Sequence, residues 1–200
     1  MSPSPARIAL CLGVALCLAC GPGGPAKAPG ARLDVAGVTP PAGVTLVQAC
    51  TPSGPELCFN AIDDNCNGVI DEGCGEPTGL LQFTIAWAAA APEVNLAVVT
   101  PAHERVPSER ARAAASGFHL DHDCPGDEGC NGQNEENVYF DGAEPPRGHY
   151  AVEITLVDLR GADAPVRVRF GARLGARVVG FDVDLSPGQD ASKSLSFDLP

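Results

Sequence analysis

The chain has 200 residues, 25 acidic against 13 basic side chains, a formal net charge of −12 and nine cysteines. Between Leu33 and Glu104 there is no Lys or Arg against nine Asp and Glu. That balance argues against a nucleic-acid partner, which needs a basic face for the phosphates, and favours divalent cations.

Residues 1–19 read as a targeting signal. Arg7 supplies the positive charge, and the apolar run Ile8–Ala19 is too short to span a membrane but suits a signal core. The run ends Leu18-Ala19-Cys20 and passes at once into Gly21-Pro22-Gly23-Gly24. This junction resembles a bacterial lipoprotein cleavage site, which implies lipid on Cys20 and a membrane anchor at the cell surface or in the periplasm. Cleavage by the ordinary signal peptidase, giving a secreted protein, is the alternative. With Cys11 and Cys17 in the signal and Cys20 lipidated, six cysteines remain, an even set that suits three disulfides in an oxidising compartment. Residues 20–45 are rich in Gly, Pro and Ala, too poor in large apolar side chains to repay ordering, and read as a flexible tether, with Val44–Val47 either a short strand or unstructured.

Residues 46–77 carry the densest chemistry, centred on Glu56–Cys74, ELCFNAIDDNCNGVIDEGC. An EF-hand loop takes ligands from positions 1, 3, 5, the carbonyl of 7, and 9, with Gly at 6 for the turn. Counted from Asp63, the match is Asp63, Asn65, Asn67, Gly68, the Val69 carbonyl and Asp71, with Glu72 beside them; position 12 is Cys74 where the scheme has Glu. Hard oxygens on a tight turn point to Ca²⁺; the competing reading is an Asx-rich turn that binds nothing. Cys50, Cys58, Cys66 and Cys74 recur every eight residues, a poor zinc spacing but a suitable one for cystines in a segment without its own core. The expected pairs are Cys58–Cys66 and Cys50–Cys74, although four cysteines allow three connectivities.

The segment resembles the metal-binding motif of MopE-type bacterial surface proteins, roughly E-x-C-N-G-x-D-D-D-C-D-G-x-x-D-E. Glu56, Cys58, Asn60, Asp63, Asp64, Asn65, Cys66, Asn67, Gly68, Asp71 and Glu72 carry the match. Asn stands for Asp at 65 and 67, which lowers the ligand charge.

From residue 78 to 200 the pattern has period two, the mark of strands. Leu81, Phe83, Ile85 and Trp87 alternate with Gln82, Thr84 and Ala86. Further strands follow at Val94–Val98, at Val138–Phe140 and, after the turn Pro145–Gly148, at Tyr150–Leu156. Val166, Val168 and Phe170 alternate with Arg167 and Arg169, and Phe181, Val183 and Leu185 with Asp182 and Asp184. These two runs predict a hairpin around Leu174-Gly175 with arginines opposite aspartates. Leu195, Phe197 and Leu199 close the chain, and Ser108–Ser116 reads as one helical turn. The fold class is all-β, an antiparallel β-sandwich preceded by the disulfide-stapled calcium loop.

A second constellation lies within the sandwich. On a strand, His119, Asp121 and Asp123 share one face and His122 the other. Trp87, Glu93, Asn95, Leu96, Leu120, Asp121, Asp123, Glu136, Asn137, Tyr139, Pro146, Gly148, Tyr150 and Val152 resemble the pattern of YfaP-like bacterial secreted β-sandwiches. The resemblance implies a second Ca²⁺ site with Asn95, Asp121, Asp123 and Glu136 as ligands; a polar loop is the alternative. Cys124 and Cys130 pair locally. Zinc or copper at His119, His122 and Cys124 is disfavoured by the opposed histidines.

No nucleophile elbow, zinc-protease helix motif, phosphate loop or dinucleotide turn occurs. The expectation is therefore a non-enzymatic, surface-tethered, Ca²⁺-stabilised lipoprotein presenting its sandwich to a protein or polysaccharide partner, without nucleic acid. A carbohydrate or surface-polymer binding module, a copper- or zinc-handling protein and a carboxylate-based hydrolase are the alternatives.

Overall fold

The computed structural model describes residues 40–47, 50, 54–107, 112–126, 130 and 132–200. The signal, Cys20, most of the tether and residues 108–111 of the expected helical turn lie outside them, and residues 112–116 are not helical, for Ala113 forms an antiparallel bridge with His119. Ten strands are described: β1 Val44–Val47, β2 Leu81–Trp87, β3 Glu93–Val99, β4 Arg105–Val106, β5 Phe118–Leu120, β6 Glu135–Phe140, β7 Gly148–Asp158, β8 Val166–Leu174, β9 Arg177–Leu185 and β10 Ser192–Leu199. They form two antiparallel sheets, β1-β9-β8-β2-β6-β5 and β10-β7-β3-β4. β1 begins at Val44, inside the stretch expected as tether, because pairing with Gly180–Val183 of β9 satisfies its backbone.

Inward positions are those of the period-two reading. Leu81, Phe83, Ile85 and Trp87 meet Val94, Leu96, Val98, Val152 and Ile154 from the opposite sheet, all buried. Phe83 lies 5.5 Å from Phe197, which stacks on Tyr150 at 5.0 Å. The Trp87 indole is buried and donates to the Pro92 carbonyl. The β8–β9 hairpin has the expected register: Arg167 opposes Asp184 and Arg169 opposes Asp182, joined at 3.0 and 2.7 Å.

The other face of β2 departs from simple alternation, for all seven of its residues are buried. The cystine segment lies across this outer face as a third layer. Gln82 Nε2 donates to the Ile70 carbonyl at 3.2 Å, and Ile70 is fully buried. Gly171 of β8 makes room for the layer: a Cβ there would stand 2.4 Å from the Ala61 carbonyl oxygen. Gly171→Ala is expected to push the segment outward and destabilise the protein by about 1–3 kcal/mol, the usual range for overpacking. Thermal unfolding together with protease cutting between residues 54 and 77 measures it; an unchanged melting point and cutting rate would contradict this packing.

Candidate metal centres

The first centre is built on Asp63. Its Oδ1 accepts from the Asn67 amide at 3.0 Å and its Oδ2 from the Gly68 amide at 2.8 Å. Asn65 Oδ1 accepts from the Asn67 amide and Asn67 Oδ1 from the Val69 amide, successive Asx turns that wind the chain around one point. Cys66 and Gly68 take positive φ, 61° and 86°, the sharp bend for which glycine is suited. The Glu56 carboxylate ties the loop ends, accepting from the Asn65 amide at 3.2 Å and the Asp71 amide at 2.9 Å. The side-chain amides of Asn65 and Asn67 both converge on Glu72 Oε1, while Glu72 Oε2 is buried and unpartnered.

Asp63, Asn65, Asn67 and Glu72 thus come together, with Val69 on the same turn. Burial raises the Asp63 carboxyl above its ordinary range, the Gly68 and Asn67 amides oppose this, and the Glu72 charge adds to it. Burial pushes Glu56 up to about 7 against the Asn65 amide, with Glu72 and Asp63 adding like charge. Arg173, buried on the outer face of β8, is the nearby cation that spacing did not suggest: burial lowers its pKa, and the charges of Asp63 and Glu72 oppose this.

Two expectations are corrected. Asp71 does not join this set. Its Oδ1 accepts from the Asn60 amide and its Oδ2 from the Ala61 amide, and its fully buried carboxylate faces the sandwich. The position-12 glutamate of an EF-hand is missing, and Glu72, at position 10, turns inward where Asp71 was expected. The cystines are Cys50–Cys66 and Cys58–Cys74, with Cα–Cα distances of 5.3 and 5.4 Å, not Cys58–Cys66 and Cys50–Cys74. The Asp71 carboxylate holds residues 60–61 beside the end of the loop, which sets Cys58 against Cys74 and leaves Cys66 for Cys50. Cys124–Cys130 forms as expected.

The proposed set Asn95, Asp121, Asp123 and Glu136 is not assembled. Successive residues of β6 face opposite ways, so Glu136 enters the sandwich and Glu135 faces the cystine layer. Glu136 Oε2 accepts from the Leu96 amide at 2.7 Å; Glu136 Oε1 and Asn95 Oδ1 are buried without partners. Asp123 is near enough for its charge to act on Glu136. Asp121 instead sits on the Glu135 side. β5 ends at Leu120, so the strand alternation that separated His122 from Asp121 stops there. His122 Nδ1 lies 2.8 Å from Asp121 Oδ2 and 3.7 Å from Glu76 Oε2. His119 points elsewhere, 2.9 Å from Asp141 and stacked on Tyr139. Cys124 is held in its cystine, so His119, His122 and Cys124 do not meet.

Burial pushes Glu136 well above its ordinary range; the Leu96 amide opposes this, and the Asp123 and Glu93 charges add to it. A carboxyl with a raised folded pKa contributes stability that is present below its unfolded pKa and lost as pH rises through the folded value. Glu136→Gln keeps an acceptor for the Leu96 amide and removes that loss. It is expected to melt higher than wild type, by more at pH 8 than at pH 5; a gap that does not widen with pH would contradict the assignment.

Glu76, His122 and Glu135 line a cavity of about 150 Å³ with Phe59, Asn137 and the Cys124–Cys130 cystine. Glu76 is pushed up to about 8, first by burial and then by the Asp121 carboxyl beside it. Glu135 is pushed up to about 9, first by burial and then by the charges of Asp71 and Glu76. Asp71 rises to about 6 through burial, which the Asn60 and Ala61 amides oppose. Glu76, between Gly75 and Pro77, was not singled out in the sequence, and in the run Glu135–Tyr139 the expected ligand was Glu136, not Glu135.

Comparison of the chain with protein-family models, with curated proteins and with solved structures finds no match, so its geometry and its residue pattern are what speak for its function.

Proposed function

We propose that this protein is a non-enzymatic lipoprotein, held at the cell surface through Cys20, whose cystine loop binds Ca²⁺ and whose sandwich presents a binding or adhesive face. The carrying observation is the convergence of Asp63, Asn65, Asn67 and Glu72 on one Gly68 turn, with a buried Glu72 oxygen unpartnered. All four supply hard oxygens, the donors Ca²⁺ selects. The resemblance of Glu56–Glu72 to the MopE-type motif points the same way, and the signal-like residues 1–19 with Cys20 support the anchor.

The ion draws Asp63 and Glu72 together across the turn and offsets the cost of burying two carboxylates side by side. The loop lies on the outer face of β8 and β2, so an ordered loop steadies the larger sheet. Calorimetric titration of the full chain with Ca²⁺, beside Asp63→Ala, tests this. One binding event that the variant lacks is expected; no heat at millimolar Ca²⁺ overturns the reading. Lipid on Cys20, read by mass spectrometry of the membrane-extracted protein, distinguishes the anchored form from a secreted one.

A further inference from the structure

We propose that Glu76, Asp121, His122 and Glu135 form a second, chemically distinct cation site, which takes a first-row divalent transition ion such as Zn²⁺ in the seam between the cystine layer and the sandwich. Glu76 Oε2, Asp121 Oδ2 and His122 Nδ1 all lie within 4.8 Å of one another. Around a tetrahedral zinc with bonds of about 2.0–2.2 Å, neighbouring donor atoms stand roughly 3.4 Å apart. The observed 2.8 and 3.7 Å bracket that value, so small side-chain movements bring these three donors to it, with Glu135 on the wall of the same cavity.

A group of acidic side chains alone would not make a site. The independent observation is Glu135, on another strand, only 4 % exposed and lining the same cavity, with Oε1 buried and without a hydrogen-bond partner while its carboxyl lies against that of Asp71. The Glu76 side chain is 8 % exposed, and its Oε2 likewise accepts no hydrogen bond. No Lys or Arg is among the described residues that line the cavity. Buried carboxyl oxygens without donors are costly, and a cation is the partner this chemistry lacks.

The donor set also selects among cations. One imidazole nitrogen beside carboxylate oxygens suits Zn²⁺ and its first-row neighbours, whereas Ca²⁺ takes six to eight oxygens. In this respect the seam differs from the all-oxygen Asp63 loop. The ligands come from both layers: Glu76 follows the second cystine of the loop, while Asp121 and His122 follow β5 and Glu135 opens β6. The ion therefore works as a clasp that holds the cystine layer on the sheet.

The test is titration of metal-stripped full chain with Zn²⁺ by calorimetry and with Co²⁺ by visible d–d absorption. One equivalent per chain is expected, with zinc raising the melting point and slowing cutting within residues 54–77. His122→Ala and Glu76→Gln should each weaken uptake at least about tenfold, the smallest loss usual even for a group that only supports a ligand. Asp63→Ala should lose Ca²⁺ yet keep Zn²⁺, which separates failure of this site from failure of the calcium loop. In the wild type, where folding is not in question, the ring resonances of His122 should move on adding Zn²⁺ while those of His119 and His149 stay. No uptake at micromolar zinc overturns the proposal, as does uptake that shifts His119 or His149 and leaves His122 unmoved.

Discussion

Asp63→Ala is expected to abolish Ca²⁺ binding at the cystine loop, while Asp71→Asn leaves it in place. The pair is informative because both residues are aspartates at ligand positions of the same EF-hand count, and only one faces the turn. Asp63 takes two loop amides and stands opposite Glu72, whereas Asp71 takes the amides of Asn60 and Ala61 on the far side. The two variants will both lower stability, since each removes a buried acceptor, but only Asp63→Ala should remove the calcium heat. In the wild type, Ca²⁺ at a hundredfold over Kd adds about 2.7 kcal/mol to the folded state, so chelation should lower the melting point visibly. Extracellular modules of this kind hold the ion with Kd on the order of 10⁻⁴–10⁻³ M, so the titration belongs at millimolar concentrations. Calcium heat that survives in Asp63→Ala and vanishes in Asp71→Asn would mean that the loop reorganises around the other carboxylate.

Loss of the Cys58–Cys74 cystine should cost about 3 kcal/mol, the chain-entropy value for closing a loop of this size; the two cysteines are 16 residues apart. The segment has little core of its own beyond Ile70 and Ala61, so the crosslink carries an unusual share of its order. Denaturant unfolding of the Cys58→Ser/Cys74→Ser double variant measures the cost. Non-reducing peptide mapping of the wild type checks the pairing beforehand: Cys50 should be found with Cys66 and Cys58 with Cys74. A stability change well under 1 kcal/mol would mean that the Glu56 and Asp71 hydrogen bonds hold the segment without the crosslink.

The strands were readable from residue order because period-two alternation is a local property. Phe83 and Ile85 must face one way if Gln82 and Thr84 face the other, whatever surrounds them. The Arg167–Asp184 and Arg169–Asp182 pairs followed for the same reason, since one hairpin register puts two complementary rows opposite each other. The Asp63–Gly68 turn was equally legible, as Asx turns and a glycine at positive φ are made by residues within six positions of one another.

Which surface each face meets was decided by the tertiary structure. Alternation marks Gln82 and Thr84 as one side of β2 but says nothing of the cystine layer that buries them. Even spacing of four cysteines leaves their pairing open, and it was the Asp71 bonds to Asn60 and Ala61 that placed Cys58 by Cys74. The grouping of Asp121 with Glu76 and Glu135, and its separation from Glu136, depends on where β5 stops and on which side of β6 each glutamate falls. Sequence alone determined the long strands of the sandwich, the tight oxygen-rich turn and the acidic balance, because these depend on neighbours along the chain. Only the three-dimensional packing decided the cystine partners, the turned-away Asp71 and the carboxylate seam, because each of these joins residues that the chain brings together from far apart.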